Sequence, residues 1–164
     1  MVWLPYYLHP EYPVEGASRE ELYARHPERR GYAERRFEEA GLVYNPPPAI
    51  VPNTLRALRV TELGRDRGLH QQVHDRLMDG YWQEACDIGD PDALRALAVE
   101  AGLDGDEIDE VLAGEAYQDR VYASTGQAQS IGATGIPAFL LDRRLLVLGA
   151  QPEAVFEQAF EQLG

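Results

Sequence analysis

Lysine is absent from this sequence of 164 residues, and cysteine occurs only once. Its basic residues, histidine aside, are 15 arginines, and 28 acidic residues give a formal net charge of −13. Nucleic acids and anionic membranes bind to clustered basic surfaces, so this charge balance argues against both as partners. Long apolar runs are also absent, because segments such as Pro137–Leu141 fall far short of the roughly 20 residues that span a bilayer.

The single cysteine, Cys86, cannot form an internal disulfide bond. It lies beside Glu84 and Asp87, whose negative charges oppose formation of a thiolate. We therefore expect Cys86 to be a small, buried hydrophobic residue without a reactive role.

Metal ligands and a targeting signal are also missing from the pattern. His70 and His74 are four residues apart on a predicted helix and could share a face, but no third ligand accompanies them. No metal site and no cofactor are therefore predicted.

The first residues lack the basic segment of a signal peptide, which predicts a cytoplasmic location.

The first half of the sequence changes from a strand pattern to a helix pattern. Residues 2–8 predict a strand covered on both faces, with Pro5 confining it to a sheet edge or end. From the predicted N-cap Ser18 to about residue 113, apolar residues recur at helical spacing. The predicted helices cover residues 18–26, 27–40, 53–67, 70–84, 91–101 and 104–112. Within the fourth of these, Met78 is predicted to face the core.

The segment from residue 117 onward has a different pattern. It predicts a helix over 117–131, a strand over 138–141, a tight turn, a strand over 145–148 and a closing helix. Helix, strand, hairpin, strand and helix is the order of the C-terminal half of a thioredoxin fold. The sequence therefore indicates an α/β protein with a large helical part.

Two motifs in this segment carry a resemblance to a known family. Thr134–Phe139 resembles the Thr-Gly-Val-Pro segment of DsbA-like and other thioredoxin-fold proteins. In that family the proline is cis, and the residue before it, here Ile136, pairs through its backbone with an extended substrate. Leu148–Pro152 is similar to the Gly-Ala-Gln-Pro junction of FrnE-like proteins. Related kappa-class glutathione transferases and 2-hydroxychromene-2-carboxylate isomerases bind an anionic group at that junction.

A third resemblance lies in the helical part. Pro52–Ala57 and Asp87–Pro91 are similar to segments of the family's inserted helical subdomain, where Asn53 either faces the active-site cleft or caps a helix. The resemblance implies a thioredoxin-like fold that is incomplete at its N-terminus and contains a large helical insertion. Residues 1–17 and 114–164 would form the thioredoxin-like domain, and residues 18–113 the insertion. The implied substrate-binding residues are Ile136, Pro137, Gln151 and Asn53.

The resemblance also implies a function, with one departure. The opening Trp3–Pro10 matches the family's second strand, which FrnE-like proteins precede with a Cys-Pro-Trp-Cys-like turn that has no counterpart here. No catalytic residue can then be assigned. A thiol–disulfide oxidoreductase that is inactive as this chain is the first interpretation. A non-catalytic thioredoxin-like binding module and a member of the isomerase or glutathione-transferase branch are the alternatives.

The partners implied by the resemblance are thiol- or disulfide-containing proteins, or a small thiol such as glutathione. Loss of a strand from a small sheet would leave an unpaired edge and an apolar face. Pairing with a second copy to form a homodimer is one expected way to cover them.

Overall fold

The computed structural model describes residues Met1–Gly164. Contacts between residues divide the chain into two compact units. One, here the hairpin unit, consists of Met1–Leu8 and Arg120–Gly164, and the other, here the helical unit, consists of His9–Asp119. The chain therefore starts in the hairpin unit, passes through the helical unit and returns.

The helical unit contains six α-helices and one very short strand pair. Strands β1 (Ala17–Ser18) and β2 (Ile50–Val51) are antiparallel. The helices are α1 (Arg19–Arg25), α2 (Tyr32–Glu39), α3 (Leu55–Asp66), α4 (His70–Trp82), α5 (Pro91–Glu100) and α6 (Gly105–Ala113).

Side-chain caps explain where three of these helices begin. Ser18 accepts a hydrogen bond from the Glu21 N–H, and Asp90 accepts one from the Ala93 N–H. Asp104 accepts hydrogen bonds from two N–H groups of the first turn of α6. Each cap satisfies a helix-terminal donor that has no partner within the helix, so the starts predicted from the sequence are confirmed.

The core of the helical unit lies among α3, α4, α5 and α6. Val60, Val73, Leu94 and Ile108 are fully buried there. Arg59 is also buried, and its guanidinium donates hydrogen bonds to the carbonyl groups of Val111, Gly114 and Ala116, which lie at and just beyond the end of α6. This arginine therefore provides a donor for one carbonyl group in the last turn of α6, which has no partner within the helix, and for two carbonyl groups in the loop that follows.

Two predictions for the helical unit were wrong in detail. The predicted helix over 27–40 is interrupted, because Pro27–Arg29 form a 3-10 turn and Gly31 adopts a left-handed conformation with φ of 69° before α2 begins. Met78 does not face the core and is 37% exposed. Met78 follows the buried Leu77 directly, and one residue along an α-helix turns the side chain by about 100°.

The hairpin unit contains α7 (Gln118–Ser130), which begins two residues before it, then β3 (Ala138–Leu141), β4 (Leu145–Leu148) and α8 (Glu153–Leu163). The two strands are antiparallel, with Phe139 opposite Val147. The Phe139 ring packs edge-on against Phe156 of α8, with ring centroids 5.0 Å apart. The first helix and the two strands match their predicted bounds to within one residue, and a closing helix follows as predicted.

The predicted strand over residues 2–8 is absent. Its backbone groups instead bond to side chains of α7: the Tyr7 N–H donates to Thr125 Oγ1 at 2.9 Å, and Ser124 Oγ donates to the Pro5 carbonyl at 2.7 Å. Alternation of apolar residues predicts a strand only if a neighbouring strand takes up its hydrogen bonds. No strand pairs with this segment, and Val2 is 75% exposed.

None of the eight α-helices is both long enough and apolar enough to cross a membrane.

Candidate functional site

The loop that leads into β3 holds two of the four residues predicted to bind substrate. The Ile136–Pro137 peptide bond is cis, as the resemblance implies. The Pro137 carbonyl accepts a hydrogen bond from the Gly149 N–H at 2.8 Å, which extends the β3–β4 pairing by one residue beyond each strand. The loop before β3 and the junction after β4 are therefore joined directly.

Ile136 is the exposed member of this loop. Its side chain is 54% exposed, and neither its N–H nor its carbonyl makes a hydrogen bond within the chain. Backbone groups left free at the end of a strand can pair with an extended segment of another chain. The loop thus offers one donor and one acceptor to a ligand.

Gln151 lies in the junction that Pro137 bonds to. Its side-chain Nε2 donates to the Leu148 carbonyl at 2.7 Å, and its backbone N–H donates to the Gly149 carbonyl at 3.0 Å. Both hydrogen bonds of Gln151 therefore stabilise the turn at the end of β4, which is a structural role. Glu153 begins α8 and places a carboxylate in its first turn, where it competes with any anionic ligand for the positive end of the helix.

Asn53, the fourth predicted residue, lies in the helical unit. Its Nδ2 donates to the Tyr12 carbonyl at 2.8 Å, and its Oδ1 accepts from the Leu55 N–H at 3.1 Å. The side chain thus holds the loop around Tyr12 against the start of α3. This arrangement supports the helix-start role that the sequence left open for Asn53.

The only sulfur that could take part in thiol chemistry is that of Cys86. Cys86 is half-buried against the edge of the helical core, and its Sγ lies 4.0 Å from a Glu84 carboxylate oxygen. Thiol–disulfide exchange between two protein sulfurs needs a second cysteine, and this sequence of 164 residues has only one.

The two histidines that share a helix face do not form part of a larger ligand cluster. Their rings are parallel with centroids 6.2 Å apart, and His70 Nε2 lies 2.8 Å from Arg65 Nη2. An arginine can only donate, so His70 Nε2 is occupied as an acceptor. No group of three or more histidine, cysteine, aspartate or glutamate side chains is arranged to hold a metal ion.

A model of the DSBA-like thioredoxin domain matches residues 1–161. The chain belongs to the DSBA-like thioredoxin domain family. Its α/β architecture with a large helical part is the thioredoxin-like fold expected of that family.

A solved structure and a curated protein resemble this DSBA-like chain. The crystal structure of a probable DsbA oxidoreductase from Streptomyces coelicolor, SCO1869, is 33% identical with a TM-score of 0.84, over 94% of this chain and 71% of that chain. The uncharacterized protein YwbO of Bacillus subtilis (strain 168) is 26% identical over 96% of this chain and 78% of its own length. The first shows that a protein described as a probable oxidoreductase shares this fold.

Ser124 and Thr125 support the hairpin unit of this DSBA-like chain and were not singled out from the sequence. They are consecutive residues of α7, and their hydroxyl groups hold Pro5 and Tyr7. Two neighbouring hydroxyl residues in a helix are the signal that could have indicated them, since such residues are poor helix formers unless they bond elsewhere.

Proposed function

We propose that the surface beside Ile136 and Pro137, here called the groove, is the substrate-binding site of a thiol–disulfide oxidoreductase of the DsbA-like family, in its FrnE-like branch. The observation that carries the proposal is the free, exposed backbone of Ile136 beside Pro137, in a chain that matches the family model over nearly its whole length. Residues 18–113 would be the inserted helical subdomain of that branch.

Main-chain pairing explains the kind of substrate that such a groove would accept. An extended polypeptide bonds to the Ile136 N–H and carbonyl through its own backbone, so its side chains contribute little to selection. Partners of this kind are unfolded proteins that carry thiols or disulfides, and a small thiol such as glutathione can use the same two groups. Self-association at the open edges of the β3–β4 sheet and a cytoplasmic location stay predictions.

Catalysis would need sulfur atoms that this chain does not contain. Exchange begins with attack of a thiolate on a disulfide and ends when a second thiol releases the mixed disulfide. Cys86, packed beside Glu84, has no protein thiol to resolve such an intermediate. The chain of 164 residues is therefore expected to bind substrates and to leave disulfides unchanged.

Reduction of insulin by dithiothreitol tests the reaction class. We expect the 164-residue chain to leave the rate of insulin precipitation unchanged, and a form extended upstream in frame that adds a Cys-x-x-Cys pair to accelerate it. Acceleration by the shorter chain that disappears in Cys86→Ser would contradict the proposal. So would inactivity of an extended form that contains the cysteine pair.

Binding of a reduced, unfolded polypeptide tests the groove separately from the chemistry. In fluorescence anisotropy, Ile136→Pro, which removes the backbone N–H, is expected to weaken binding several-fold. Ile136→Ala is the matched control, because it keeps the N–H and the carbonyl and shortens only an exposed side chain. Equal losses in the two variants would indicate binding through the apolar side chain and would refute the assignment of the groove to the Ile136 backbone.

A second candidate function is a thioredoxin-like binding module without redox activity. The single cysteine and the free Ile136 backbone both favour it. It differs from the first proposal in one outcome: an extended form would bind the polypeptide through Ile136 and still fail to reduce insulin.

A further inference from the structure

A cavity of about 400 Å³ lies within the helical unit. Its walls come from the loop that precedes α1, from α1 itself and from the 3-10 turn that follows. The volume lies at the lower end of the range for small-molecule sites. The proposed thiol chemistry uses none of the residues that line it.

His9 lines this cavity with a ring that is held in place on two sides. The ring stacks on Tyr12 with centroids 4.4 Å apart and an angle of 4° between the planes, and His9 Nδ1 lies 2.9 Å from a Glu11 carboxylate oxygen. A carboxylate only accepts hydrogen bonds, so Nδ1 carries the proton when the ring is neutral. Nε2 is then an acceptor, and it has no partner within the chain.

Two further groups at the cavity have unused hydrogen-bonding capacity. The Arg29 guanidinium makes no hydrogen bond or ion pair, and the Tyr12 hydroxyl makes no hydrogen bond. Arg25 makes a single contact with Glu21, at 3.7 Å. By contrast, arginines such as Arg67, Arg76 and Arg95 are each bonded to carboxylates.

Charged side chains of both signs act on the Tyr12 hydroxyl group. Burial raises the pKa of Tyr12, and the charge of Glu11 adds to this, whereas Arg29 and Arg25 act in the opposite direction. Two arginines and two glutamates line the cavity, and one of the glutamates is bonded to His9. The charges of these four side chains cancel, so an anion is not repelled here as it would be by the chain as a whole, whose net charge is −13.

We propose that this cavity binds a small hydroxycarboxylic acid. The Arg29 guanidinium would take the carboxylate in a charge-assisted pair, and the Tyr12 hydroxyl would donate to the same group. His9 Nε2 would accept a hydrogen bond from the ligand's hydroxyl group, because Glu11 holds the proton on Nδ1. The proposal does not depend on the proposed thiol chemistry, since no sulfur takes part.

Titration of the isotope-labelled chain with L-malate, followed by amide chemical shifts, tests the proposal. Shifts are expected to saturate and to concentrate in residues 9–29. Arg29→Gln should weaken binding by about tenfold, the usual effect of losing one hydrogen bond to a charged group. Tyr12→Phe keeps the ring stack and should weaken binding by a smaller factor.

Arg35→Gln is the matched control, because Arg35 also makes no ion pair and does not line the cavity. Its affinity for malate should equal that of the unmodified chain. Equal losses in Arg35→Gln and Arg29→Gln, or shifts spread over arginines throughout the chain, would overturn the site in favour of nonspecific ion binding. Failure of malate to shift any cavity residue, or equal binding of the uncharged diamide of malate, would also overturn it.

Discussion

Replacing Thr125 with valine is expected to destabilise the hairpin unit by removing one hydroxyl group. Thr125 Oγ1 accepts the Tyr7 N–H at 2.9 Å and donates to the Val121 carbonyl at 2.9 Å. Both Tyr7 and Thr125 are buried, so water cannot replace the lost acceptor. Valine has nearly the shape of threonine and a similar helix propensity, so the change isolates the hydrogen bond.

The magnitude follows from the group that is left unsatisfied. A buried N–H without a partner costs about 1–3 kcal/mol, and that range is the expected loss in Thr125→Val. Thr125→Ser is the control, because it keeps the hydroxyl and removes one methyl group, which costs about 0.8 kcal/mol.

Urea unfolding together with hydrogen exchange at the Tyr7 amide measures both effects. The Tyr7 amide should exchange much faster in Thr125→Val and should remain protected in Thr125→Ser. If Thr125→Val were as stable as the unmodified chain, with the Tyr7 amide still protected, the proposed tether between residues 5–7 and α7 would be wrong.

Three other changes test the packing and the charges. Phe139→Ala should lower the free energy of unfolding by roughly 3 kcal/mol, because the edge-on contact with α8 is lost. Leu140→Ala, at a half-exposed position, is the control and should lower it by under about 1 kcal/mol in the same urea unfolding experiment. Arg59→Met should cost about 3 kcal/mol by leaving three carbonyl groups without their donor, as thermal unfolding can show. Burial and then the charge of Arg65 lower the pKa of His70, so the folded state takes up the proton less readily than the unfolded chain. Stability should therefore fall as the pH drops from the unfolded pKa of His70 to its lower folded value, and His70→Gln should remove this fall in urea titrations at a series of pH values.

Most of the secondary structure could be predicted because its signals are local. Caps such as Ser18, Asp90 and Asp104 act within three residues of the helix that they start. The β3–β4 hairpin has a turn of only three residues, with Asp142 and Arg143 in left-handed conformations. Such patterns need no knowledge of distant residues.

Residues 2–8 were mispredicted because their structure depends on distant partners. The Tyr7 N–H finds its acceptor 118 residues away, and no periodicity within residues 2–8 contains that information. A strand pattern predicts which side chains could be buried. Whether a ladder of backbone hydrogen bonds forms depends on the presence of a neighbouring strand.

The candidate site was predictable in part. The motif around Pro137 and the junction at Gln151 were found from the sequence, and the structure joins them through the bond between Pro137 and Gly149. The cavity beside His9 and Arg29 was not found, because it is formed by a loop, a helix and a 3-10 turn that carry no common motif.

The most direct test of the central claim is hydrogen exchange at the Ile136 amide, with and without a reduced, unfolded polypeptide. This amide makes no hydrogen bond within the chain, so it should exchange rapidly in the free protein. Saturating polypeptide is expected to slow its exchange, while the exchange of core amides such as that of Leu94 is unchanged. Continued rapid exchange at Ile136 in a chain shown to be saturated would contradict the assignment of the substrate groove.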